Sequence, residues 1–146
     1  MVFLLDQNMN CAPLCWKANK IKRKVRSTLA AEALALESGL EHAIFLRDLL
    51  KEMCVVSVDI PIVAWTDSNN VEKAVHSTSS VEDYKLRLDI ACIKENVVKE
   101  NVTVKWCRGE HMIANCLTKK GASADALLTI VASGTLNDYF RNELSK

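Results

Sequence analysis

A chain of 146 residues, 49% hydrophobic and 25% charged, holds enough apolar material for one globular domain with a real core. Its formal net charge of +1 excludes a global field that selects a strongly charged partner, so recognition by charge has to be local. No apolar run approaches the length of a membrane span, and the opening Met-Val-Phe-Leu-Leu-Asp is too short for the apolar core of a signal peptide, which predicts a soluble intracellular protein, cytoplasmic or nuclear, with no membrane partner.

Residues 2–5 and 12–17 read as two strands joined by the turn-prone Asp6-Gln7-Asn8-Met9-Asn10, hence a hairpin. Residues 17 to 26 then carry six basic residues and no acid. From 28 to 53 runs the longest helical pattern, with Leu29, Ala33, Leu36, Leu40, Ala43 and Leu50 on one face and Ser27 in place as N-cap. Pro61 opens a strand over 62–66, and a short helix starts at Asn69 or Asn70 and ends near residue 76. A polar loop, His76 to Ser80, leads to a second long helix over about 82–99, lined by Leu86, Ile90, Ile93 and Val97. Alternating Val102, Val104 and Trp106 form a strand with one core face. A helix over about 111–119 and two weaker helical pieces separated by Ser133-Gly134-Thr135 complete the chain. This order implies an α/β fold, a mixed sheet with helices on its faces.

Two carboxylates stand out by position. Glu32 is placed in the first turn of the long helix with Leu29 three before it and Leu36 four after, so apolar neighbours crowd it. Asp67 ends the run Ile62-Val63-Ala64-Trp65, which reads as a strand buried on both faces. A carboxylate at the carboxyl end of a buried strand, facing one at a helix start, points to a divalent-metal site. Each also has a plainer account: Glu32 favours the positive end of its helix, and Asp67 is an N-cap or turn residue leading into the helix at Asn69.

The runs Leu14-Cys15-Trp16-Lys17, Arg26-Ser27-Thr28-Leu29-Ala30-Ala31-Glu32-Ala33-Leu34-Ala35-Leu36, Thr66-Asp67-Ser68 and Ala114-Asn115-Cys116-Leu117-Thr118-Lys119, in this order and spacing, resemble the ribonuclease H domain of copia-type LTR retrotransposon polyproteins. The resemblance covers about residues 1–130, leaving 131–146 as a C-terminal helical extension. It implies a ribonuclease H-like mixed sheet and hydrolysis of the RNA strand of an RNA/DNA hybrid, beside the reverse transcriptase domain of a parent polyprotein, with two magnesium ions and no small-molecule cofactor. Two cations roughly 4 Å apart hold the attacking water and the leaving oxygen, and several anionic ligands must fix them. Glu32 matches the family's helix carboxylate and Asp67 its strand carboxylate.

The departures bear on activity. The first acidic ligand lies in the family on a strand before the hairpin, whereas Met1-Val2-Phe3-Leu4-Leu5 matches the second strand. The last ligand position holds Asn115, an amide that offers a carbonyl oxygen but no charge. Glu32 and Asp67 alone imply weak magnesium binding and little cleavage; Asp6 is the one acid near the lost position, and its hairpin turn explains it as well. The missing strand also implies unpaired edges and marginal stability.

For nucleic acid, Lys17, Lys20, Lys22, Arg23, Lys24 and Arg26 are candidate phosphate contacts, with Ser68 beside Asp67 and Trp16 as a stacking surface. Lysines that protect a hairpin edge from strand addition explain the same run. Lys85 and Arg87 add a second, weaker basic element. Cys11, Cys15, Cys54, Cys92, Cys107 and Cys116 form no C-x-x-C pair, which predicts reduced thiols; Cys107, His111 and Cys116 lack the fourth ligand and tight pair of a zinc site. The expectation is a degenerate ribonuclease H domain, the alternative a non-catalytic nucleic-acid-binding or interaction module with the same fold.

Overall fold

The computed structural model describes residues 1–22, 24–56, 59–78 and 83–144. Along the chain run β1 (Val2–Leu5), β2 (Cys11–Cys15), α1 (Thr28–Glu52), β3 (Ile62–Thr66), α2 (Asn69–His76), α3 (Tyr84–Lys99), β4 (Val102–Trp106), α4 (Asn115–Thr118), α5 (Asp125–Ser133) and α6 (Asp138–Leu144). They fall into two compact units, Ile21–Cys107 and a second made of Met1–Lys20 with Arg108–Lys146. The architecture is α/β, with antiparallel and parallel strand pairing and flanking helices.

In the unit Ile21–Cys107, α1 begins where the Ser27 hydroxyl accepts the Ala30 N–H at 3.1 Å, satisfying a donor the first turn leaves open. It ends where Met53 donates to the Leu49 carbonyl at 2.9 Å and Cys54 turns left-handed at φ 56°. Its buried face consists of Ala30, Ala33, Leu40 and Arg47. On α3 the Asp83 carboxylate caps the start, accepting from Lys85 N–H at 2.9 Å and Leu86 N–H at 3.2 Å. Asn101, at φ 50°, reverses the chain from α3 into β4, a conformation that asparagine tolerates better than most residues. Strands β3 and β4 pair in parallel from Ile62↔Val102 to Thr66↔Trp106. The helices α1, α2 and α3 close over them, so that Leu40, Val71, Ile93 and Val104 are almost wholly removed from water within one cluster.

Arg47 is the unexpected member of that face. Its side chain is only 7% exposed, and it donates to the Glu100 carbonyl and carboxylate, each at 2.6 Å, and to Asp48 at 3.2 Å. Burial lowers the tendency of the guanidinium to stay charged, and the hydrogen bonds to Glu100 and Asp48 more than offset it. One side chain thus ties the carboxyl-terminal part of α1 to the carboxyl end of α3.

In the second unit, β1 and β2 form the expected hairpin, closed by Asp6. Its carboxylate accepts from Asn8 N–H, Asn10 N–H and Asn10 Nδ2, each at 2.8 Å, while Met9 adopts φ 62°. Asp6 is therefore a turn residue, its oxygens engaged locally. Gly134 ends α5 at φ 66°, where a left-handed residue is needed; its carbonyl receives the Cys11 N–H at 2.7 Å. Ile130, Leu136, Phe140 and Cys11 are the buried side chains of this unit.

Three expectations are corrected. The described strands form two two-stranded sheets, β1-β2 and β3-β4, in place of one mixed sheet. Strand β3 is half-buried at Ile62 to Trp65, not buried on both faces, because β4 is its single partner among the described residues. The helix expected over 111–119 shrinks to Asn115–Thr118: His111, Met112 and Asn115 N–H groups bond three residues back, giving successive turns.

Leu40→Ala is expected to cost about 3 kcal/mol by chemical denaturation, since a fully buried leucine leaves a cavity. Arg47→Ala is expected to cost about 2 kcal/mol, less than a fully buried pair because Glu100 keeps 36% exposure. The Asp83 carboxyl lies below its ordinary value of 3.8, chiefly through the Leu86 N–H bond. A depressed folded-state pKa gives stability that is complete above the unfolded value and lost as pH falls through the folded one. Asp83→Ala should therefore lower Tm at neutral pH, and the difference from wild type should narrow as pH falls through the depressed folded-state value.

Candidate functional site

The candidate site sits at the carboxyl ends of β3 and β4. Thr66 is buried, and its carbonyl receives the Cys107 N–H at 2.9 Å, carrying the ladder one residue past β4. Asp67 follows, half-buried, with its carbonyl accepting the Trp106 indole N–H at 3.2 Å. Ser68 donates its N–H to Thr66 Oγ1 at 3.1 Å and takes the N-cap position of α2, where its side chain makes no capping bond and its carbonyl accepts from Val71 and Glu72. Asp67 is thus not the N-cap; it is the bend residue that leads from β3 into α2, as the turn half of its plainer account expects. Sequence reasoning missed Cys107 as its neighbour: burial first, then the Asp67 charge, pushes this thiol up to about 11. Such a group stays protonated at neutral pH and is a poor nucleophile.

Glu32 is placed differently from the expectation. It is the fifth residue of α1, past the first turn, and it is exposed to solvent. Leu29 and Leu36, counted on to crowd it, are themselves only half-buried, at the edge of the core cluster. Its distance from the helix start also weakens the macrodipole account, since that effect fades beyond the first turn. Glu32 and Asp67 both belong to the unit Ile21–Cys107, on elements that touch, α1 and β3.

Asn115 belongs to the other unit, where its amide Nδ2 donates to the Gly109 carbonyl at 2.8 Å and closes the turns that lead into α4. It lines a cleft of about 470 Å³ together with Glu110, His111, Cys116, Lys119 and Asp125. The Cys116 thiol donates to the Ile113 carbonyl at 3.2 Å, and His111 Nε2 lies 3.6 Å from Glu110 Oε1. Among the described residues no three or more His, Cys, Asp and Glu side chains are grouped to hold a metal ion. The carboxylate pair Glu32 and Asp67 supplies half the charge of two magnesium ions, so the donor set does not fit a two-ion centre.

The basic segment is open to solvent at Lys17, Lys20, Lys22, Lys24 and Arg26, and Trp16 beside it is 67% exposed. Arg23 lies outside the described residues. Lys24, Val25 and Arg26 meet Asp83 and Lys85 across a cleft of about 200 Å³, bringing together two basic elements distant in sequence. No described helix is long and apolar enough to cross a membrane.

Comparison with family models, with curated proteins and with solved structures gives no match to this chain.

The contrast between thiols is directly measurable. At pH 8 a thiol of pKa about 11 is roughly one-thousandth ionised. Iodoacetamide followed by peptide mapping is expected to modify exposed Cys54 readily and Cys107 only after unfolding; native-state labelling of Cys107 at the Cys54 rate would contradict this placement.

Proposed function

We propose that this chain is a degenerate ribonuclease H-like domain of the copia-type retrotransposon class, engaging RNA/DNA hybrid beside a reverse transcriptase with weak or no cleavage of its own. The observation that carries the reading is the position of Asp67 immediately past the carboxyl end of a parallel strand, with the capping position of the next helix filled by Ser68. In sheets with parallel strands, ligands gather at such ends. Glu32 on α1, an element that touches β3, supports the same reading. Magnesium, if bound, would be held weakly by Asp67 and Glu32, and we assign it no catalytic step.

A second reading, a binding module without catalysis, draws on the exposed basic residues Lys22, Lys24 and Arg26, which would neutralise phosphates. The two readings share the hybrid as ligand and differ in magnesium dependence.

Binding of a labelled hybrid, measured across a salt series, separates them. Affinity is expected to fall steeply with salt in both. Joint replacement of Lys22, Lys24 and Arg26 by alanine is expected to lower the slope by about two to three, at roughly 0.7 to 0.9 per lost phosphate contact. Under the first reading magnesium gives slow hybrid cleavage at most, and Asp67→Asn removes it. Under the second, Glu32→Ala with Asp67→Ala leaves binding intact and single-stranded RNA binds as well as hybrid. No binding at low salt sinks both; fast magnesium-dependent cleavage sinks the claim of degeneracy.

A further inference from the structure

The outward faces of α1 and α3 carry apolar rows edged by opposite charge. On α1, Phe45 (64% exposed), Leu49 and Met53 recur every four residues on the side away from buried Ala33 and Leu40. Exposed Glu41, Asp48 and Glu52 run along one edge of that row. On α3, Tyr84 (69% exposed), Leu88 and Val98 (83% exposed) occupy the side away from Leu86, Ile90 and Ile93. Here Lys85 and Arg87 flank the Tyr84 and Leu88 end of the row on either side, while exposed Glu95 lies within the row between Leu88 and Val98 and pairs with Lys99. Solvent-facing apolar rows on two helices of one unit exceed the scattered exposure normal for a soluble surface.

We infer that the chain self-associates through these two faces, the acid-edged row of α1 on one copy docking against the base-edged row of α3 on another. The occupant follows from charge: an apolar row edged by Glu41, Asp48 and Glu52 selects a basic-edged apolar partner and repels another like itself. The chain presents that partner on its own α3. Because the two faces differ, the contact is heterologous, and each added copy leaves one face of each kind open. Association therefore proceeds past the dimer as concentration rises. It stands independently of any action on nucleic acid.

Sedimentation velocity of the full chain from about 1 µM to about 1 mM tests it. The average mass of the wild type should climb with concentration to more than twice the monomer value, and the climb should lessen at high salt. Glu41→Lys with Glu52→Lys makes both faces basic, and Lys85→Glu with Arg87→Glu makes both acidic. Each double variant should remain monomeric while keeping wild-type helical circular dichroism. Mixing the two should restore association, since each then finds its complement. A wild type that stays monomeric throughout overturns the inference, as does either variant associating like wild type. A mixture that remains monomeric overturns it too.

Discussion

The unit that carries Asp67 depends on one buried cation. Arg47 reaches from the carboxyl-terminal part of α1 to the C-cap of α3 and binds both the carbonyl and the carboxylate of Glu100. The carbonyl is one of the acceptors a helix end leaves unsatisfied, so the guanidinium serves as a cap delivered from another element. Directional contacts of this kind fix the registry of two helices in a way that interchangeable aliphatic contacts do not. With α1 and α3 held together, Leu40 and Ile93 fill the space between them, and β3 and β4 acquire a cover.

Much of this was legible where local chemistry decides. Ser27 and Pro61 marked boundaries that the backbone follows, and Val102 and Val104 marked the core face of β4, whereas Trp106, expected on that face, is exposed. The Arg47 clamp was not read from the pattern: the apolar stripe of α1 steps through Ala43 to Leu50 and passes over position 47, where a charged side chain turns inward. Nothing local says that its partner lies at Glu100. Positions 111–119 misled because apolar spacing suggested a helix, while the Asn115 amide bonding back to Gly109 favoured turns. Burial was the least legible property: β3 reads as a strand covered on both faces, and whether neighbours exist on both sides is settled by the rest of the chain.

For the candidate site, residue type was legible and environment was not. Asp67 was identifiable as the end of an apolar run, yet its setting beside a protonated, buried thiol arises only when β3 and β4 align in parallel. Glu32 was identifiable by its spacing from Leu29 and Leu36, but a spacing rule places it near a stripe without saying how deep the stripe lies. The two carboxylates end in different surroundings, Asp67 half-buried and Glu32 exposed.

The pairing of β3 with β4 has a kinetic meaning. Parallel neighbours cannot be closed by a tight turn, so the chain must run through α2 and α3 before the second strand meets the first. Neither strand gains a ladder until that excursion is complete, and the helices, which form from near neighbours, precede it. During synthesis Asp67 therefore emerges long before the strand that gives it a fixed address, and the nascent β3 must wait, solvated and unpaired, for its partner.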